Sequence, residues 1–304
     1  MVEIYEMEVF LAAAETGSFS EAGRRMRLSQ PAISMQIRGL EQRLGVELFH
    51  RAGRHIQLTT IGQALVPLAR DLINHAAQVQ ETVTAIHGEV TGVLKIACGT
   101  TAGKYLLPRI LAPWLKKYPA VQVHCVVIER KTVLEMIGSG AAHLGLTSAC
   151  EPARAVEYQP FTADPIALIV PPGHPWSVRE AIRIADLPGG KFVRRELAAG
   201  TLATVAEALS PHGLSLNDLP AIIVIEDSAA VYQAVAEGIG VAFISRWAAA
   251  QGIAAGAVIE VPITGLELVQ PLYLVRPVPA RPATVAAIFW DFVFSPTGRE
   301  ILGC

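Results

Sequence analysis

The stretch LSQPAISMQIRGLEQRLGVELFHR, residues 28–51, predicts a helix with two unlike faces. Four apolar residues step by four, three and four positions, so we expect them to share one buried face: Ile33, Ile37, Leu40 and Leu44. The proline falls in the first turn of this helix, where its missing N–H is harmless. The opposite face is small, polar and basic, and flat enough to enter a groove: Pro31, Ser34, Met35, Arg38 and Gln42.

The flanking segments predict a helix-turn-helix with a wing. An apolar helix ends at Gly17, and residues 18–21 have the S-x-x-E form of a capping box that opens a short second helix. Gly23 inside that helix costs about 1 kcal/mol relative to Ala, so either a neighbour packs closely against it or the helix is weak. Beyond the third helix, two extended pieces, 46–50 and 54–59, are joined by residues 51–53 into a hairpin with an arginine-rich tip.

This arrangement predicts DNA binding. The second helix of a helix-turn-helix enters the major groove, where Gln, Ser and Arg contact base edges and apolar groups contact thymine methyls. Between residues 21 and 54 there are seven Arg against three Glu, although the net charge of the chain is −2. The candidate DNA-contacting residues are Ser18, Ser29, Gln30, Pro31, Ser34, Met35, Arg38, Arg51 and Arg54. A helical packing unit that does not touch DNA is the alternative.

A long helix is predicted from Thr60 to about His87, with a capping-box pattern at residues 60–63. Its narrow apolar stripe follows a heptad: Ile61, Leu65, Leu68, Leu72, Ala76, Val79, Val83 and Ile86. Such a stripe is typical of a coiled-coil seam, whereas a lone surface helix usually shows a wider one. We therefore expect dimerisation, and at Pro67 either a kink or a local loss of hydrogen bonding.

From Gly92 onward, short strands and helices alternate, which predicts a parallel sheet covered on both faces. The strands are expected at 93–98, 121–128, 144–147, 165–170, 192–195, 222–225, 241–245 and 268–275. The last strand would return to the sheet formed by the first three strands, so the chain would form two lobes with a cleft between them. Proline-rich joints at 160–165 and 262–271 are the candidate crossovers.

Composition excludes several classes of protein. A chain of 304 residues with 52% hydrophobic and 17% charged residues is too apolar for disorder and long enough for two or three domains. The apolar runs are too short to span a bilayer, and no secretory signal is evident. The four cysteines lack metal-site spacing, so we expect buried free thiols. The histidines are scattered, so we expect neither catalytic nor metal-binding residues, and no enzyme.

The chain resembles the LysR-type transcriptional regulators over essentially its whole length. The resemblance rests on FLAAAETGSF at 10–19, SQPAIS at 29–34, LGVELF at 44–49 and LTTIG at 58–62. It implies a winged helix-turn-helix over 1–60, a dimerising linker helix over 61–90, and over 91–304 a two-lobed α/β domain like a type 2 periplasmic binding protein. Lobe I would comprise about 91–161 and 268–304, and lobe II about 162–267.

The same resemblance implies a cytoplasmic regulator, a tetramer of paired dimers on promoter DNA, and contact with RNA polymerase. Two residues depart from the family pattern at the DNA end. Gly23 stands where Ala is usual, and Met35 stands where Arg is common. Operator preference should therefore not be carried over from an Arg-bearing relative.

The cleft is expected to hold a small effector and no cofactor. Hydroxyls and cations at strand ends and helix starts are the candidates, and they match places where family members bind inducers: Thr100, Thr101, Thr132, Thr147, Arg195, Thr201 and Ser228. A threonine at a helix start is also a common cap. Relatives often read R-E-x-G-S-G-T-R where residues 195–202 read RELAAGTL, so we expect a smaller or more apolar acid. The alternative function is a ligand-independent architectural DNA-binding protein.

Overall fold

The computed structural model describes residues 2–52, 55–86, 89–148, 150, 156–197, 199–278 and 284–302. The chain forms two compact units, one of residues 1–92 with 139–141 and one of residues 93–138 with 142–304. Within the described residues, no helix combines the length and the hydropathy that a membrane span requires.

The first unit is a three-helix bundle followed by a hairpin and a long helix. Its elements are α1 (Ile4–Thr16), α2 (Phe19–Met26), α3 (Gln30–Leu44), β1 (Phe49–Ala52), β2 (His55–Leu58) and α4 (Thr60–Ile86). Gly17 and Gly45 end α1 and α3 in the left-handed conformation that glycine adopts freely. β1 and β2 are antiparallel, with Phe49 opposite Leu58.

The core of this unit lies under α3, mostly as its periodicity predicts. Ile33, Ile37 and Leu40 are buried. The expectation for Leu44 was wrong, because it is the last helical residue and its side chain is 38% exposed. Gly23 is buried where the chain turns closely past it, since a Cβ there would lie 2.7 Å from the carbonyl oxygen of Leu28. Close packing therefore explains this glycine.

Two carboxylates hold secondary-structure elements of the first unit together. Glu41 of α3 accepts hydrogen bonds from the backbone N–H groups of Leu48 and Phe49, which holds the start of the wing against the helix. Glu15 of α1 accepts from Arg25 of α2 at 2.6 Å and from Arg70 of α4 at 3.0 Å.

Two predicted boundaries need correction. β1 extends to Ala52, so Arg51 lies in the strand rather than in the connecting segment. The residue that caps α4 is Thr59 rather than Thr60, because the Thr59 hydroxyl accepts a hydrogen bond from the N–H of Gly62 at 3.0 Å.

α4 is continuous through Pro67 and has two apolar faces. One face packs on the core of the three-helix bundle, through Leu65, Val66, Ala69 and Ile73. The other face is exposed to solvent, and it holds most of the heptad stripe: Ile61, Leu68, Leu72, Val79 and Val83. An exposed stripe on a long helix is the geometry of an unpartnered coiled-coil seam.

The second unit contains β3 (Gly92–Cys98), a π-helical turn at Ala102–Leu106, α5 (Leu107–Lys117), β4 (Val121–Val127), α6 (Arg130–Gly138), β5 (Leu144–Thr147), β6 (Val156–Val170), β7 (Ile182–Arg183), β8 (Phe192–Arg194), α7 (Gly200–Leu209), β9 (Ala221–Val224), α8 (Ser228–Ala236), β10 (Ala242–Ser245), α9 (Arg246–Ala254), β11 (Ile259–Glu260), β12 (Ile263–Thr264), β13 (Val269–Pro277), α10 (Val285–Phe294) and α11 (Pro296–Leu302).

Its main sheet is mixed, and the expectation of a parallel sheet was wrong. The strand order is β10-β6-β13-β5-β3-β4, with β11 also paired to β6. β3 and β5 are parallel, but β13 runs antiparallel to both β5 and β6, and β10 runs antiparallel to β6. The cause is the chain path, because β6 leaves the first block in one direction and β13 returns to it in the other.

β6 joins the two lobes as one strand of 15 residues. It pairs with β13 from Val156 to Pro165, and with β10 from Ile166 to Ile169. The predicted strand at 165–170 is therefore only its second half. Ile166, Leu168 and Val170 enter one core and Ala167 and Ile169 enter another, which is the alternation expected of a strand with helices on both faces.

The sequence also predicts a helix from Tyr105 to about Lys117 and a cap at Thr132 for the next helix, and both starts differ in the structure. The segment before α5 is already helical from Ala102, earlier than the expected start at Tyr105. α6 begins at Arg130, so Thr132 lies in its first turn rather than at its cap.

Candidate functional site

The outer face of α3 is open to solvent. Gln30, Pro31, Met35 and Arg38 are exposed, and Met35 is 68% exposed. Ser34 is half-buried between them. The structure therefore places the predicted contact residues of α3 on one accessible surface.

Two of the predicted serines are helix caps. Ser29 accepts a hydrogen bond from the N–H of Ala32 at 3.3 Å, and Ser18 accepts one from the N–H of Glu21 at 3.4 Å. Each hydroxyl still has its proton to donate. The caps place both serines at helix N-termini, where backbone N–H groups also favour phosphate.

Arg38, unlike three of its basic neighbours, has no acidic partner within the described residues. Arg24, Arg25 and Arg43 form ion pairs with Glu21, Glu15 and Glu6. A cation on an open surface without an internal partner is suited to a phosphate or a base edge. Of the predicted wing residues, Arg51 lies in β1 opposite Ile56, and Arg54 lies outside the described residues.

The second unit contains a cavity of about 160 Å³. Five of the seven predicted effector residues line it: Thr100, Thr101, Thr147, Arg195 and Thr201. Ser228 is behind this lining, where its hydroxyl accepts a hydrogen bond from Nη1 of Arg195 at 2.5 Å. The structure does not bring Thr132 into the lining.

Arg195 is buried, and each of its three side-chain nitrogens donates a hydrogen bond. Its Nε and Nη2 bind the two carboxylate oxygens of Glu196, at 2.8 and 2.7 Å. The preceding residue, Arg194, instead donates to the carbonyl oxygen of Leu216 at 2.6 Å. The sequence places two arginines side by side, and only the second reaches the cavity.

The lining also contains residues that the sequence did not single out for binding: Ile128, Glu129, Ser148, Glu226, Gln270 and Leu272. Ser148 follows Thr147 at the end of β5, so the strand-end rule could have found it. Gln270 comes from the returning strand β13 and is buried. A Cβ at Gly200 would overlap both Ser148 Oγ and Gln270 Nε2, so this glycine makes room for them.

The charged side chains that line the cavity are mostly acidic. Among the described residues that line it, Arg195 is the one fixed cation, against the carboxylates of Glu129, Glu196 and Glu226. Backbone N–H groups offset this balance at the start of α7. Ala199, Gly200 and Thr201 line the cavity there, and the helix has no side-chain cap. Uncapped N–H groups at a helix N-terminus attract a carboxylate.

Comparison with known families accounts for both units. The model described as "Bacterial regulatory helix-turn-helix protein, lysR family" matches residues 4–63, and "LysR substrate binding domain" matches residues 87–295. The chain belongs to the LysR family of transcriptional regulators. It is an effector-responsive regulator that binds promoter DNA and a small molecule.

Individual relatives extend over nearly the whole chain. The transcriptional activator CmpR of Synechocystis is 28% identical over 292 residues, 96% of this chain and 95% of CmpR. The structure of full-length CbnR with its target DNA has a TM-score of 0.68 at 22% identity, covering 96% of this chain and 99% of CbnR. The Synechocystis CcmR regulatory domain with 2-PG has a TM-score of 0.60 at 22% identity, covering 70% of this chain and 97% of that domain.

In this LysR-type regulator an ion pair joins two segments that neighbour the cavity lining in the sequence, next to Ala102 and Glu226. Lys104, in the π-helical turn, binds Asp227, which caps α8 by accepting from the N–H of Ala230. The Lys104 hydrogen bond lowers the pKa of the Asp227 carboxyl. The pair joins the first block of the unit to the second, and sequence periodicity offers no signal for it.

A second carboxyl is buried where β6 changes partners. Asp164 is opposite Gln270 in the β6–β13 pairing, and its Oδ1 accepts a hydrogen bond from Ser245 at 2.7 Å. Its Oδ2 has no partner within the described residues. Burial raises the pKa of this carboxyl to about 7, although the Ser245 hydrogen bond lowers it.

The cysteines differ from expectation. Cys98 is buried, but Cys125 and Cys150 are exposed, and Cys304 lies outside the described residues. Within the described residues, no cluster of three or more potential metal ligands occurs. The relatives are transcriptional regulators rather than enzymes.

Proposed function

We propose that this regulator senses a small acid with one negative charge. The observation that carries the proposal is the charge of the described part of the cavity lining, in which one hydrogen-bonded arginine faces three carboxylates. A ligand carboxylate is received by the uncapped start of α7 and by nearby hydroxyls, whereas a second negative charge meets Glu129 or Glu226. The cavity of about 160 Å³ is smaller than the roughly 300–1,000 Å³ typical of pockets for drug-sized ligands.

The experiment is isothermal titration calorimetry of the full chain against three sets of compounds. The first set contains small monocarboxylates, the second the matching neutral amides, and the third doubly charged acids, including 2-phosphoglycolate, because the CcmR regulatory domain binds 2-PG. The proposal expects heat of binding from at least one monocarboxylate and none from its amide. Binding by doubly charged acids alone would contradict it.

The proposal places the outer face of α3 in the DNA major groove. Its support is the shared surface of Gln30, Pro31, Met35 and Arg38 on the second helix of a helix-turn-helix. Arg51 and Arg54 of the wing reach the flanking backbone or minor groove. Met35 favours a thymine methyl over a guanine at its position.

Two copies act together through α4. The exposed stripe of Leu68, Leu72 and Val79 supports a coiled-coil dimer, which sets the spacing of two α3 helices on one operator. We further propose that two dimers assemble into a tetramer, that the complex contacts RNA polymerase, and that the protein acts in the cytoplasm, where the chromosome lies. We also propose that the protein needs no cofactor besides the effector.

A further inference from the structure

Two thiols lie in contact beside the candidate effector cavity. Cys98 ends β3 and Cys125 lies in the adjacent strand β4, and their Sγ atoms are 3.2 Å apart. The S–S bond of a disulfide is about 2.0 Å long, so the two sulfurs need to approach by only slightly more than 1 Å. The sequence offers no hint of this pair, because 26 other residues separate the two cysteines.

The two thiols differ in access and in acidity. Cys98 is buried, whereas Cys125 is exposed. The hydrogen bond from the Cys98 thiol lowers the pKa of Cys125, while that bond and burial raise the pKa of Cys98. An exposed thiol with a lowered pKa is the one that reacts first with an oxidant, because more of it is thiolate. A protonated thiol in contact with it can then complete a disulfide.

We propose that Cys98 and Cys125 form a reversible oxidation site, at which a hydroperoxide converts the two thiols into an intramolecular disulfide. The Cys125 thiolate attacks the O–O bond, so that an S–O bond forms, the O–O bond breaks, and the leaving oxygen takes up a proton as an alcohol or water. Cys98 then attacks the Cys125 sulfur, the S–S bond forms, the S–O bond breaks, and hydroxide leaves with the Cys98 proton as water. Two thiols lose two electrons in total, and a dithiol reductant reverses the change.

The geometry connects this site to the cavity. Gly99 and Thr100 follow Cys98 directly and line the cavity. Gly103 packs against the same thiol, since a Cβ there would lie 2.6 Å from Cys98 Sγ. Movement of the sulfur toward Cys125 therefore displaces the segment 99–103. Oxidation does not depend on which acid the cavity binds, so failure of one proposal leaves the other standing.

The test uses the full chain with Cys150→Ser and Cys304→Ser, which leaves only the proposed pair. The reduced protein is treated with hydrogen peroxide, blocked with N-ethylmaleimide and digested with trypsin. The expected product is a cross-link between the peptides 96–104 and 118–130, with a loss of two hydrogens from the intact mass that dithiothreitol restores. Hydrogen exchange in residues 99–103 should change on oxidation, and unchanged exchange would overturn the connection to the cavity.

Single variants separate the two roles. Cys98→Ser should leave a Cys125 sulfenic acid that dimedone traps, whereas Cys125→Ser should leave the buried Cys98 unreactive. Two results would overturn the oxidation site: no linked peptide at peroxide concentrations that oxidise Cys125, or a link formed only between two chains.

Discussion

The guanidinium of Arg195 binds both carboxylate oxygens of its sequence neighbour Glu196, at 2.7 and 2.8 Å. Glu196 is therefore already paired with the cation that an acidic ligand would bind. We expect Arg195→Met to weaken binding of the effector acid at least tenfold, about 1.4 kcal/mol, because the charged side chains left in the described lining are then all carboxylates. Calorimetry with the acid found in the monocarboxylate panel measures this change.

Arg194→Met is the matched control. Its guanidinium bonds to the carbonyl oxygen of Leu216 rather than to the cavity, so effector affinity should change less than twofold. Equal losses in the two variants would show that general destabilisation, not the cavity charge, is the cause.

Glu196→Gln should act in the opposite direction. The amide removes one negative charge from the lining and holds Arg195 less tightly, so affinity for the acid should rise several-fold. Isothermal calorimetry at two salt concentrations is the measurement, and the gain should shrink at high salt. Weaker binding by this variant would mean that Glu196 orients Arg195 for the ligand.

Gly200→Val should close the cavity. Even a Cβ at Gly200 overlaps Ser148 Oγ and Gln270 Nε2, and the two further methyl groups extend the obstruction. We expect loss of detectable effector binding, while retardation of promoter DNA without effector is unchanged. Gly138→Ala is the control, because a Cβ there meets no atom within 4 Å. Retained effector affinity in Gly200→Val would place the ligand elsewhere.

Much of the first unit was predictable from its sequence because its signals are local. The four-three spacing of Ile33, Ile37 and Leu40 determines the inner face of α3, and Gly45 determines its end. The heptad stripe of α4 is equally local. The mixed sheet was not predictable in this way, because strand direction depends on the return of β13 to β6, and no periodicity encodes that pairing.

The cavity was predictable only in part. Thr100, Thr147 and Thr201 were found because strand ends and helix starts gather at one edge of a sheet. Gln270 was missed, since it lies near the start of β13 rather than at the end of a strand, and it is more than a hundred residues from Thr100 and Thr147 in the sequence. The ion pair between Arg195 and Glu196 was missed because it depends on the direction of the two side chains. The adjacent Arg194 instead bonds to the carbonyl oxygen of Leu216.

Asp164 should make the stability of the second unit depend on pH. Burial raises its pKa from 3.8 to about 7 in the folded state. The contribution of Asp164 to the free energy of unfolding is therefore fully present below pH 4 and is lost as the pH rises toward 7. It is on the order of 4 kcal/mol at most. Thermal unfolding of the full chain between pH 4.5 and 8.5 measures the trend.

Asp164→Asn is the comparison variant for that experiment. An amide stays neutral throughout, and its oxygen still accepts the Ser245 hydrogen bond. The variant should therefore lose less stability than the unchanged protein as the pH rises. Parallel pH curves for the two proteins would show that Asp164 keeps an ordinary pKa.

Val79→Glu should disrupt the paired α4 helices. Val79 is 66% exposed in the single chain, and a charge in a coiled-coil seam is disfavoured. We expect sedimentation equilibrium to show dissociation at concentrations where the unchanged protein is dimeric. Gln80→Glu adds the same charge to the next residue, which is exposed and outside the stripe, and should leave the dimer intact. Equal effects of the two variants would argue against α4 as the seam.

The central claim is that the outer face of α3 lies against DNA bases, and its most direct measurement is retardation of a promoter fragment at several salt concentrations by Arg38→Ala. We predict weaker binding by at least tenfold and a salt slope shallower by about 0.9, if the lost contact is a phosphate. Arg299→Ala, the same charge change on an exposed face of α11, should match the unchanged protein. Identical retardation by all three proteins at every salt concentration would contradict the account.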